Sequence, residues 1–203
     1  MLDFKTEKKS QGFTLIELMI VAAVIMIAAA YAIPRMVNTV NDISLRYTAS
    51  DLSGLLQSAR IQAVKKNTNY SVQTGVLPSG QTGFFVDLPK TGTYANGDPF
   101  MPLNPSVTFH LSTGSGAPNE ATLVTTLGYA VNPAADAPSF NARGLPCILA
   151  GNACPQAAGQ GYIMFMSKAT ATGNVPWVAV AVTPSGHVQV WTCDNLGTWV
   201  QRD

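Results

Sequence analysis

From Phe13 to Ile33 the chain carries a single charge, Glu17, in an otherwise apolar run. At about 1.5 Å of rise per residue a helix of this length reaches about 30 Å, the thickness of a bilayer's hydrocarbon core. Nothing else in the sequence limits the fold so strongly, because such a segment must sit in lipid or among other apolar helices. Lys5, Lys8 and Lys9 precede it. Flanking lysines hold the amino end in the cytoplasm, so residues from Pro34 onward are expected on the far side of the membrane. Glu17 is the anomaly, since an ionised side chain deep in a bilayer costs on the order of 2.5 to 3.5 kcal/mol on insertion scales.

Three readings compete for this segment. An ordinary secretory signal would end at a small-x-small site, and Ala30-Tyr31-Ala32 supplies one. The exported soluble protein that this reading implies would begin at Ile33. Against it, the apolar run exceeds the roughly 7 to 15 residues of a signal's hydrophobic region and holds a carboxylate. A plain membrane anchor accounts for the length and leaves Glu17 unexplained.

The third reading rests on Gly12-Phe13-Thr14-Leu15-Ile16-Glu17-Leu18, which resembles the cleavage and methylation motif of type IV pilins and of the pseudopilins of type II secretion systems. The resemblance implies that a prepilin peptidase cuts between Gly12 and Phe13 and methylates the new amino terminus at Phe13. Residues 1–12 are then a cleaved leader, 13–33 a transmembrane and filament-core helix, and 34–203 a periplasmic or extracellular body. It also implies that Glu17 serves assembly, its carboxylate meeting the Phe13 amine of a neighbouring subunit. In a low dielectric an unpaired carboxylate is far costlier than a matched ion pair, which penalises every axial offset but one. Apolar residues on all sides of the helix suit it first to lipid and then to neighbouring helices.

Beyond Pro34 the helical periodicity resumes. Ile43, Tyr47, Leu52, Leu55, Leu56, Ala59, Ala63 and Val64 recur at mostly three- and four-residue intervals, which predicts a helix with one buried face continuing to about Lys66. Gly54 weakens it by about 1 kcal/mol relative to alanine, and Asn67-Thr68-Asn69 reads as its end. Strand-like runs follow at 70–75, 83–88, 106–111, 121–127, 161–166, 177–183 and 186–193, predicting an antiparallel sheet region. In the hairpin between the last two runs, Pro184 and Gly186 suit the second and fourth places of a β-turn. Alternation places Val178, Val180 and Val182 on one face. Residues 89–105, 112–120 and 132–160 read as loops. The whole predicts an α+β fold, a pilin-like lollipop in which a long N-terminal helix, its first half in the membrane, packs on an antiparallel β-domain.

A second resemblance narrows the family. The stretch from Ala49 to Val72, the run Phe140-Asn-Ala-Arg-Gly144 and Ser185-Gly186-His187-Val188 are similar to patterns of the GspH/FimT group of pseudopilins and minor pilins. That similarity implies a non-enzymatic, low-abundance subunit of a type II secretion pseudopilus or a type IV pilus, made at the inner membrane. Its partners would be other pilin or pseudopilin subunits and the prepilin peptidase.

The remaining chemistry is sparse. With 47% hydrophobic residues the chain can bury a core for one domain. Its charged fraction is 11%, and without the leader's Lys5, Lys8, Lys9, Asp3 and Glu7 the 12 basic and 11 acidic residues fall to nine of each. No global field then draws nucleic acid. Cys147, Cys154 and Cys193 follow an export-directing segment, which fits an oxidising compartment. A Cys147–Cys154 bridge is the simplest of three pairings, and the others stay open. Neither these spacings nor His110 and His187 supply a metal site, and no cofactor motif is present. Ser115 lies in a glycine-flanked loop with no base or acid assigned to it, so no catalytic residue is expected. Some minor pilins of this group take up DNA through alternating arginines after the glycine that Gly186 matches. Here His187 and Gln189 stand at those positions. DNA binding, for which Trp177, Trp191 and Trp199 would have to stack bases, is the alternative function.

Overall fold

The computed structural model describes residues 13–111, 115–131, 137–149, 153–155, 159–168, 176–194 and 196–202. The chain divides into two compact units, Met1–Val40 and Asn41–Asp203. Helix α1 (Leu15–Lys66) runs through both. In the first unit the described residues from Leu15 onward are helical, Pro34 included.

In the second unit α1 presents Leu45, Ala49, Leu52, Leu56, Ala59 and Ala63 as a buried stripe. Intervals of four and three keep one helical face inward, and the alanines let the backbone approach the sheets closely. The expected face is therefore corrected in part. Leu52, Leu55, Leu56, Ala59 and Ala63 are buried, whereas Ile43, Tyr47 and Val64 are exposed. Ile43 and Tyr47 lie two residues, or about 200° of helix, from Leu45, and Val64 lies one residue, or about 100°, from Ala63, so the apolar periodicity ran beyond the buried face. The helix ends as predicted. Asn67 takes the left-handed conformation, and its N–H and that of Thr68 bond the carbonyls of Val64 and Ala63. This pair closes off two orphan carbonyls, and Lys65 and Lys66 complement the helix dipole in the last turn.

The strands are β1 (Tyr70–Val76), β2 (Thr82–Val86), β3 (Phe100–Pro102) and β4 (Val107–Leu111). After helix α2 (Glu120–Leu127) come β5 (Ala130–Val131), β6 (Ser139–Phe140), β7 (Pro146–Cys147), β8 (Gln160–Lys168), β9 (Trp177–Val182), β10 (Val188–Cys193) and β11 (Trp199–Arg202). One sheet has the order β3-β2-β1-β6-β7 and the other β11-β10-β9-β8-β4. All these pairings are antiparallel; β5 adds to β8 in parallel. An N-terminal apolar helix followed by antiparallel sheets makes the fold α+β, consistent with a pilin-like fold.

Two expectations are corrected here. Residues 121–127 form a helix, not a strand: Leu123 and Leu127 fall on one helical face toward the core, and Thr125 and Thr126 hydroxyls bond the carbonyls of Ala121 and Thr122. The loops expected at 89–105 and 132–160 contain β3 and the two-residue strands β6 and β7, too short to leave a period in the sequence.

The main core lies between α1 and both sheets, with Phe84, Phe140, Met164, Met166, Val178, Val180 and Val182 among its members. On the opposite face of β8 and β9 a second core gathers Leu123, Ile163, Phe165, Trp177, Ala179, Ala181 and Trp191. The alternation read for Val178, Val180 and Val182 thus holds, and the intervening residues are buried as well. Four hairpins share one connection. In Leu77–Gln81, Asn141–Leu145, Thr183–His187 and Asp194–Thr198 the fourth residue is a glycine at positive φ whose N–H bonds the first carbonyl, while the first N–H bonds the fifth carbonyl. A four-residue turn closed by a left-handed residue matches strand twist, which is why Pro-Ser-Gly recurs at 78–80 and 184–186.

Candidate functional site

The amino-terminal helix is built for an apolar medium. Leu15–Ile33 is a 19-residue span of mean hydropathy 2.5 with none of it buried, long and apolar enough by length and composition to cross a membrane. Leu15, Ile16, Leu18, Met19, Ile20 and Val21 are all at least half exposed, so no face is reserved for the chain's own core. At its far end the Arg35 guanidinium donates to the Tyr31 hydroxyl at 2.6 Å and lies 4.6 Å from that ring's centre. An aromatic ring with a polar tip beside a cation suits the boundary between lipid and water.

Its start is organised by Thr14. The Thr14 hydroxyl accepts the Glu17 N–H at 3.3 Å, and the Thr14 carbonyl accepts the first helical bond from Leu18 at 3.2 Å. Thr14 is therefore the N-cap, and Glu17 stands three residues on, the Thr-x-x-Glu spacing of a capping box. The Glu17 side chain is exposed, as is Phe13. The expectation for Glu17, a carboxylate costly in lipid that serves assembly, did not include this cap, although the spacing was on view in the sequence. Gly12 lies outside the described residues.

Within the second unit Arg60 joins two distant turns. Its Nε donates to the Gly144 carbonyl at 3.0 Å and its NH2 group to the Ser185 carbonyl at 3.4 Å. A Cβ on Gly186 would stand 2.3 Å from the Gly144 carbonyl oxygen and 3.1 Å from Arg60 Nε, and one on Gly144 would stand 2.9 Å from Val64. The Asn141 side chain closes the first turn by accepting the N–H groups of Arg143 and Leu145. The structure thus brings together the helix, the Phe140–Gly144 run and the Ser185–Val188 run that the sequence singled out separately. Arg60 was not itself singled out, and no local signal marks a contact between residues so far apart in the chain.

The other candidates are placed apart. His110 packs against Trp177 with ring centres 5.4 Å apart, while His187 is exposed beyond the Thr183–Gly186 turn. Ser115 donates its N–H and hydroxyl to Glu120, a bracket at the start of α2. Cys147 and Cys154 are joined by a disulfide, and Cys193 is a buried free thiol. Burial, and then the neighbouring Asp194 carboxylate, push that thiol above its ordinary value. Among the described residues no group of three or more His, Cys, Asp and Glu is arranged to hold a metal ion. Two buried acids went unnoticed in the sequence. Asp87 accepts the N–H groups of Thr91 and Gly92, and Asp98 those of Leu88 and Ala95, so both carboxylates order the loop before β3. Trp177 and Trp191 are buried, and Trp199 donates its ring N–H to the Pro118 carbonyl.

Compared with known families, residues 8–33 match the prokaryotic N-terminal methylation motif. Comparisons with curated proteins and with solved structures give no match. The matched span covers the basic flank, the Gly12-Phe13 bond, the Thr14 cap, Glu17 and the apolar helix. The chain therefore carries the amino-terminal signature of a type IV pilin-like protein.

Proposed function

We propose that the protein is a non-enzymatic minor pilin or pseudopilin, trimmed between Gly12 and Phe13, methylated at Phe13 and assembled into a type II secretion pseudopilus or a type IV pilus. The observation that carries this reading is the coincidence of the methylation motif at 8–33 with an apolar helix that buries nothing in its own chain. Such a surface needs lipid before assembly and other helices after it. Residues 1–12 are the leader, 13–33 the membrane and filament-core helix, and 34–203 the body on the periplasmic side. Glu17 aligns the entering subunit by pairing with the Phe13 amine of a neighbour. The convergence of Arg60, Gly144 and Gly186 supports the likeness to the GspH/FimT group, since three separate stretches that resemble it form one junction.

The mass of the mature chain tests the reading. A start at methylated Phe13 is expected. A start at Ile33 would make the segment an ordinary signal and end the proposal.

A further inference from the structure

Beside α1 the second unit holds a groove of about 620 Å³ walled by the helix on one side and by β10 and β11 on the other. At Gln57, His187 and Val188 it shares its wall with a recess of about 540 Å³ that continues along the helix to Lys65. Its cations are Arg46, Arg60, Lys65 and Arg202, and no carboxylate among the described residues lines either part. Arg46 makes no ion pair among the described residues. Arg202 is held against the strand by its Nε, which donates to the Thr192 hydroxyl at 3.1 Å. The floor is aliphatic, because Val188 and Val190 face the main core but are only half covered by the helix.

We infer that this groove docks an acidic, extended peptide segment of a partner protein. From Arg46 to Lys65 the helix advances about 28 Å, the reach of roughly eight residues of extended chain. Such a segment turns alternate side chains to opposite sides, so aliphatic residues can meet the valine floor while carboxylates meet the flanking cations. Carboxamides at Gln57 and Gln189 stand where the segment's backbone needs donors and acceptors. Cations strung along the walls and no acid among them make a one-signed trough, which favours an anion and repels a basic competitor. A nucleic acid fits less well. Among the described residues no Phe, Tyr or Trp ring lines the groove to stack a base, His187 being its one aromatic side chain, since the tryptophans of β9 and β10 point into the second core. The inference is independent of the assembly reading, because it uses only residues of the second unit.

The test uses the full chain in phosphatidylcholine nanodiscs and the anisotropy of fluorescein-labelled octamers: alternating Val-Glu, alternating Val-Lys and oligothymidylate. The Val-Glu peptide is expected to bind at low salt and to be released as salt rises. Replacing both arginines, Arg46→Ala with Arg202→Ala, should weaken it at least about tenfold, and the paired lysine replacements should retain most of the binding. Both side chains are exposed, so the variants are expected to unfold at the temperature of the parent chain. The proposal is overturned if the acidic peptide fails to bind at low salt, if the Val-Lys peptide binds equally, or if the double alanine variant binds as the parent does. Tighter binding of the oligothymidylate, with displacement of the peptide, would also overturn it and assign the groove to nucleic acid. None of these outcomes depends on where the mature chain begins.

Discussion

At Glu17 the cap and the proposed intermolecular pairing fall on different atoms. Its backbone N–H belongs to the cap, bonded to the Thr14 hydroxyl, whereas its carboxylate extends from the exposed first turn. Near a helix N-terminus a carboxylate contributes about 0.3 to 1 kcal/mol through the helix dipole, too little to offset its cost in lipid without a further partner. Glu17→Ala keeps the N–H and so the cap. Leader cleavage should proceed normally in this variant while its incorporation into filaments falls to background, as seen by immunoblotting sheared filaments. Incorporation at the parent level would remove the intermolecular pairing and leave Glu17 as a capping residue. At this scale the sequence was legible where chemistry is local. The Gly-Phe-Thr-x-x-Glu run announced itself, whereas Arg60, Asp87 and Asp98 act on groups that only folding brings near.

Among the elements, the hairpin turn at Thr183–His187 shows how little room the Arg60 junction leaves. Gly186 needs its left-handed φ of 79°, and a methyl group there would also press on the Gly144 carbonyl. Gly80 ends the other Pro-Ser-Gly turn at φ 77° with open space around it. Gly80→Ala should therefore cost only the conformational part, about 1 to 2 kcal/mol. Gly186→Ala should cost on the order of 2 kcal/mol more through forced displacement of the Asn141–Gly144 turn. Thermal unfolding of the two variants measures the difference; equal costs would mean that the turn yields freely. Both turns could be read from sequence because proline and glycine act within four residues. The end of α1 was legible for the same reason. The strand expected at 121–127 failed because eight residues span barely two helical turns, too few to separate a helical from an alternating pattern. Ile43, Tyr47 and Val64 failed differently: their spacing was helical, but spacing alone does not say which of two apolar faces the sheets will cover.

For the molecule as a whole, alkali is the informative stress. Burial pushes the Tyr129 hydroxyl up to about 12, and its oxygen has no hydrogen-bond partner. In the unfolded chain an ordinary tyrosine ionises near 10 and a thiol near 8.5. Above those values the unfolded state holds fewer protons than the folded state, so stability is full at neutral pH and falls as pH rises. The Cys193 contribution begins to be lost first, and that of Tyr129 is lost between about pH 10 and pH 12. Tyr129→Phe should flatten the upper part of the denaturation profile and leave stability at pH 7 equal or slightly raised, because it deletes an unsatisfied buried hydroxyl. An unchanged alkaline slope would show that the hydroxyl is solvated. The same sheet that shelters Tyr129 has a further consequence. Strands β8 and β9 send successive side chains into different cores, so a single pair of backbones is the partition between them. Amide groups in that partition are bonded strand to strand and walled on both faces, so they are expected to be among the slowest in the molecule to exchange with solvent, as hydrogen exchange would show.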